Sequence, residues 1–220
     1  MVIDRNRGGS YLAIATAGAG IFGVFLFLTF YMQSTKGMTA LETGLAFLPM
    51  NVAIIVTATL VNTRILARTG PRPLIPTGML LAALGMVLLT RIGVDTAYAS
   101  HVLPSLLLIG VGFGLSIAPA FATATLGVPR QDSGVASAMV NTSQQVGGSI
   151  GTALLSTLAV SATTDYIVSN GPGAQAAVEG YVTAFWWAGA IFAVGALVTG
   201  TLLRSGVKVP AHGAPEPVAA

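Results

Sequence analysis

The sequence predicts an all-α, polytopic membrane protein built as a bundle of six transmembrane helices, and three observations carry that prediction. Charged residues make up 8% of the 220-residue chain and hydrophobic ones 54%, whereas a soluble domain carries about 25% charged residues. Mean hydropathy is +0.81, so lipid rather than water must meet much of the surface. Six stretches, 11–31, 44–61, 73–90, 102–124, 134–160 and 181–203, contain no Asp, Glu, Lys, Arg or His. Each is near the ~20 residues needed to cross a hydrocarbon core of ~30 Å. With six spans, Arg5, Arg7, Arg64, Arg68, Arg72, Arg130, Arg204 and Lys208 fall on one side, and only Lys36 and Arg91 on the other. The Lys/Arg-rich side is the cytoplasmic one. The expectation is therefore a multi-pass protein of the cell membrane with both termini in the cytoplasm.

The first apolar run follows Arg5 and Arg7 as a signal peptide would, but it exceeds the 7–15 residues of a signal core and reads as a span. The second span contains Pro49, which has no N–H and so frees the Leu45 carbonyl of its helical partner. Between the second and third spans lies Arg64-Ile65-Leu66-Ala67-Arg68-Thr69-Gly70-Pro71-Arg72-Pro73. Here Gly70 permits a tight turn, and the arginines either reach helix C-terminal carbonyls and anionic headgroups or simply anchor the cytoplasmic side.

The fourth span pairs Gly110 with Gly114 at GxxxG spacing, which lets a neighbouring backbone approach closely. Pro119 then releases the Leu115 carbonyl. Bending during a conformational cycle and ordinary bundle packing are both open readings. The fifth span is the most polar: at 100° per residue, Asn141, Gln145, Gly148, Ser149, Thr152 and Ser156 share a sector of about 100°. Amides facing lipid are costly, so the stripe either lines a cavity or holds helices together through hydrogen bonds worth about 0.6 kcal/mol each. Gly147 and Gly151 form a second small-residue seam on this helix. The segment 161–180, with Asn170, Gly171, Pro172 and Gly173, reads as a flexible loop. The expected organisation is a cytoplasmic segment over 1–9, the bundle over 10–204, and a Pro/Ala-rich disordered cytoplasmic tail over 205–220.

Several function classes are excluded. There is no cysteine, hence no disulfide or thiol chemistry. The net charge of +3 is scattered and follows topology, so no nucleic-acid partner is expected. Gly147-Gly148-Ser149-Ile150-Gly151 satisfies a hydrolase pattern and Gly18-Ala19-Gly20-Ile21-Phe22-Gly23 a dinucleotide one, but both lie inside spans without the strand each motif requires. Asn141-Thr142-Ser143 matches a glycosylation sequon at membrane depth. His101 and His212 are isolated, so neither a catalytic triad nor a metal site is expected. The chain is not expected to be an enzyme.

Taken in order, the motifs resemble a known family. They run from Arg5-Asn6-Arg7, Tyr31-Met32-Gln33 with Lys36-Gly37, and Thr43-Gly44 with Leu48-Pro49, through Arg68-Thr69-Gly70-Pro71-Arg72 and Gly110, Gly112, Gly114 with Pro119. They end with Gly134 to Gly151 through Asn141-Thr142-Ser143-Gln144-Gln145. Almost the whole chain resembles the second half of a major facilitator superfamily transporter, of the fourteen-span drug:proton antiporters (EmrB/QacA branch). The resemblance implies that these are the last six of fourteen helices, one half of a major-facilitator fold. It also implies that Asn141, Gln145, Ser149 and Thr152 border a substrate cavity. Arg68, Gly70 and Arg72 match the family's cytoplasmic loop signature, while Ala67 stands where that signature has an acidic residue.

Alternating access in such transporters rocks one bundle against another, and one bundle is present here. The acidic residues that carry protons in relatives lie mainly in the other half, and Glu42 and Asp165 stand at the outer ends of helices. The expected function is therefore the C-terminal bundle of a proton-coupled multidrug exporter, incomplete alone. Its partners would be the lipid bilayer, a small amphipathic substrate and an N-terminal bundle on another chain. No cofactor beyond a proton gradient is implied. A non-transporting assembly subunit and the membrane half of an ATP-driven exporter are the alternatives.

Overall fold

The structure is a computed structural model and describes residues 5–203, the side chains of Arg5 and Arg130 excepted. The tail expected over 205–220 and the first four residues lie outside the described part. Within it, six helices are long and apolar enough to cross a membrane: α1 (Asn6–Thr35), α2 (Ala40–Thr69), α3 (Pro71–Leu89), α4 (Tyr98–Thr125), α5 (Ser133–Asn170) and α6 (Ala174–Leu202). Hydrocarbon offers no hydrogen bonds, so each crossing segment must satisfy its own backbone, which a helix does.

The ends are set by local chemistry. The last turn of α1, Tyr31–Thr35, is a π-turn, and Gly37 reverses the chain at φ 68°. Thr39 and Glu42 form a reciprocal capping box at the start of α2: the Glu42 carboxylate accepts from the Thr39 N–H at 2.8 Å, and the Thr39 hydroxyl from the Glu42 N–H at 3.3 Å. Glu42 is thus committed to a helix cap. At its other end α2 runs through a π-turn, Val61–Ile65, into Leu66–Thr69. Arg64 and Arg68 are therefore helical, and the expected loop contracts to Gly70, whose φ of 73° favours glycine. Its N–H closes on the Leu66 carbonyl at 2.9 Å, and Pro71 opens α3 at the position where a missing N–H costs nothing.

The 161–180 loop is corrected. Helix α5 continues unbroken to Asn170 and α6 starts at Ala174, leaving a turn in which Gly171 has φ 86°. The polar residues of 161–170 that suggest a loop instead fold back onto their own helix: Thr164 donates to the Val160 carbonyl and Ser169 to that of Asp165, each at 2.9 Å. A close approach of α6 adds to this, because a Cβ at Gly180 would stand 2.8 Å from the Ala159 carbonyl.

The packing follows one pattern twice. Helix α1 lies along α5 and against α6, and α4 lies along α2 and against α3, while α3 meets α6 and α1 meets α4. Exchanging the first three helices for the last three maps these pairs onto one another, as in an inverted repeat, while the α5–α6 contact has no comparable counterpart between α2 and α3. Both parallel pairs are built on small residues. On the α1–α5 seam, Gly18 faces the Gln144 carbonyl, Gly147 faces Ala15 and Gly151 faces Ala19. On the α4–α2 seam, a Cβ at Gly110 would lie 2.6 Å from the Met50 carbonyl and one at Gly114 2.7 Å from that of Ile54. Gly112, on another face of α4, abuts Gly78 of α3. The core fills between α1, α3, α4 and α6, with Tyr31, Met79, Met86, Phe113, Phe185 and Phe192 fully buried and Phe113 edge-on to Phe192 at 5.4 Å. In α2 and α5 only 22% of the most apolar stretch is buried, against 44–61% in the other four.

Candidate functional site

The two least-buried helices border the site. A groove of about 580 Å³ opens between α2, α4 and α5, toward the bundle end that carries Arg7, Arg64, Arg68 and Arg72. Helix α2 contributes Thr59, Asn62, Thr63 and Leu66; α4 contributes Ala118, Phe121, Ala122 and Thr125; α5 contributes Ser137, Val140 and Asn141. The groove exists because α4 packs closely on α2 through Gly110 and Gly114 nearer the opposite end, while α2 and α5 have no extensive contact.

Its chemistry is neutral and two-sided. The Thr63 hydroxyl donates to the Thr59 carbonyl at 2.7 Å and the Thr125 hydroxyl to that of Phe121 at 3.1 Å. Their oxygens remain able to accept from a ligand. The amides of Asn62 and Asn141 are exposed and offer donors and acceptors, and Phe121 and Val140 supply apolar surface. Among the described lining residues there is no carboxylate, ammonium, guanidinium or imidazole, and among all described residues no group of acidic, His or Cys side chains could hold a metal. This arrangement can bind an amphipathic molecule by contact and hydrogen bonds; among the described lining residues there is no general base to activate a hydroxyl.

Of the four cavity candidates on α5, the structure brings Asn141 to the groove. Gln145 and Ser149 continue the same stripe away from it and are exposed, and Thr152 is half-buried. Gly147 and Gly151 turn the other way, onto α1, so the small and amide positions of α5 divide between a packed side and an open one. Pro49 is half-buried within α2 and Pro119 buried within α4, where the Thr123 hydroxyl donates to the Pro119 carbonyl at 2.8 Å. Arg68 and Arg72 are exposed on either side of Gly70, and Ala67 is exposed too. Asn62, Thr59, Thr63 and Ser137 are groove residues that sequence reasoning passed over. The signal was present: 59, 62, 63 and 66 share one helical face, but Arg64 makes that segment look like a loop.

Arg7 also has a role that its sequence position did not suggest. Its guanidinium donates to the Leu126 carbonyl at 2.9 Å, tying the start of α1 to the end of α4, where a cation meets the negative end of a helix. At the far end, the Tyr31 hydroxyl donates to the Gly93 carbonyl at 2.9 Å, Lys36 to that of Val94 at 3.0 Å, and the Tyr98 hydroxyl to that of Ala46 at 2.6 Å. The α3–α4 connection is thereby strapped across α1 and α2.

Comparison with known proteins fits this architecture. The chain is 44% identical over 205 residues to the puromycin resistance protein pur8 of Streptomyces alboniger, covering 92% of this chain and 41% of that protein. It is 36% identical over 156 residues to the cephamycin export protein CmcT of Amycolatopsis lactamdurans, covering 71% of this chain and 32% of the relative. It is 32% identical over 152 residues to the multidrug resistance protein Stp of Mycobacterium tuberculosis, covering 69% and 28%. The chain thus spans about two fifths or less of the length of these relatives. The sequence pattern described as Major Facilitator Superfamily matches residues 5–152, and a chain with this match and this six-helix bundle belongs to that superfamily of membrane transporters and is not an enzyme.

Proposed function

We propose that this chain is the C-terminal bundle of a proton-coupled exporter of small amphipathic molecules, and that the groove between α2, α4 and α5 is its share of the substrate path. One observation carries the reading: the open faces of α2 and α5 flank the polar groove. Val52 and Ile55 of α2 are 57% and 65% exposed there, and Gln145 and Ser149 of α5 are exposed beside Asn141. A second bundle laid against that face would cover them and complete the groove into a cavity. The names of pur8, CmcT and Stp, which speak of resistance and export, support export as the activity. Because the described groove lining lacks an ionisable side chain, proton coupling falls to the companion bundle. In this reading the arginine-rich end faces the cytoplasm, Arg68, Gly70 and Arg72 form the loop there, and Pro49 and Pro119 are points where α2 and α4 bend.

The test is transport in liposomes with an imposed pH gradient, using a fluorescent amphipathic cation. The chain alone is expected to be inactive, and the chain co-reconstituted with a polypeptide carrying the preceding spans to be active. Transport by this bundle alone would contradict the need for a partner. Co-purification with a complete exporter, without any effect on transport, would favour an assembly subunit instead.

A further inference from the structure

A second groove lies elsewhere on the bundle, between α3 and α6, and the groove lining described above takes no part in it. It has a volume of about 430 Å³ and is lined by Leu80, Leu84 and Val87 of α3 and by Trp186, Ala190 and Ala193 of α6, with Ala83 and Gly189 at its floor. A Cβ at Gly189 would only just touch Met86, at 3.4 Å, so the floor is closed by side chains in ordinary contact and the trough above it is open. Leu80, Leu84 and Trp186 are 48–56% exposed along its rims. On α3 the stripe of positions 80, 84 and 87 runs toward the helix end at Leu89. Two residues on, exposed Arg91 lies in the closing turn, where its N–H meets the Leu88 carbonyl at 3.2 Å. From Leu80 to Leu89 the helix rises about 14 Å, close to half of the ~30 Å hydrocarbon thickness and so near the depth of one leaflet.

We infer that this trough is a phospholipid site: one acyl chain lies between α3 and α6 and the headgroup phosphate rests on Arg91. An arginine just past the end of α3, with an apolar trough along the preceding turns of the same helix, matches a molecule with a phosphate at one end of a long hydrocarbon tail. Asp95 and Glu179 stand at the same end of the bundle. They favour a zwitterionic headgroup, whose ammonium answers a carboxylate, over a purely anionic one.

Native mass spectrometry of the purified full chain, released from detergent after incubation with defined lipids, tests this. Phosphatidylethanolamine is expected to be retained more than diacylglycerol with the same tails. Arg91→Gln should weaken phosphatidylethanolamine about fivefold, close to the diacylglycerol level. Ala190→Trp should fill the trough and remove both adducts. Leu84→Trp serves as a second filler if the first variant loses the wild-type helical circular dichroism. Equal retention of the two lipids, wild-type retention by the arginine and filler variants, or tighter binding of phosphatidylglycerol than of phosphatidylethanolamine would each overturn the assignment. A lipid-free dimer of this chain seated on the same face would overturn it as well.

Discussion

At the scale of single residues, α5 separates two kinds of small or polar position that look alike in the sequence. A Cβ at Gly147 would run into the Ala15 backbone of α1, whereas one at Gly134 meets nothing within 4 Å. Gly147→Val is therefore expected to cost at least the 1–3 kcal/mol of an overpacked seam. Gly134→Ala should instead gain up to about 1 kcal/mol from helix propensity. Thermal melts of the two variants in detergent check the pair. Asn141→Ala should leave the melting temperature near wild type, because the side chain is exposed, while lowering ligand affinity or transport severalfold in the assembled exporter. An unchanged transport rate would remove Asn141 from the path. The polar stripe of α5 was legible from periodicity alone, but its partner Asn62 was not. Periodicity places residues on faces of one helix and cannot say which two helices share a groove.

At the scale of elements, spans were legible wherever lack of charge decides, and boundaries were lost where polar residues are helical. The stretch 161–170 carries Ser, Thr, Asp and Asn, yet it is helix, because hydroxyls bonded to carbonyls one turn back are compatible with that conformation. The packing of Gly180 on Ala159 also draws α6 against it. Hydrogen–deuterium exchange is expected to show protected amides through Gly171, whose N–H closes on the Ile167 carbonyl at 2.8 Å, and rapid exchange at Gly173; fast exchange throughout would restore a loop. The α2 ending was similarly hidden, since Arg64 and Arg68 sit on helix and the reversal falls on one residue at positive φ. Gly70→Ala should cost about 1–3 kcal/mol, because φ 73° with ψ 175° lies in a region essentially reserved to glycine, measurable in the same melts.

At the scale of the whole molecule, composition alone sets the architecture, but the unequal burial of the six helices was not legible. The fifth span reads as the most polar, but the second reads as apolar as the rest, and only packing reveals that both α2 and α5 stay open. A cut within the α3–α4 connection, between Asp95 and Thr96, provides a test of how the bundle coheres. Expressed separately, the two fragments are expected to be protease-sensitive, and co-expression should restore resistance. Survival of the first fragment on its own would show that its three helices hold one another. The packing argues otherwise, because α1 rests on α4, α5 and α6, α2 on α4, and α3 on α4 and α6. A ribosome feeding this chain into the bilayer thus delivers three segments that share little beyond the Phe25–Phe47 ring contact, 4.7 Å between centroids, until the fourth emerges. Insertion proceeds from one end while assembly waits for the other, and a lesion in α5 would strip α1 of its seam at Ala15, Gly18 and Ala19.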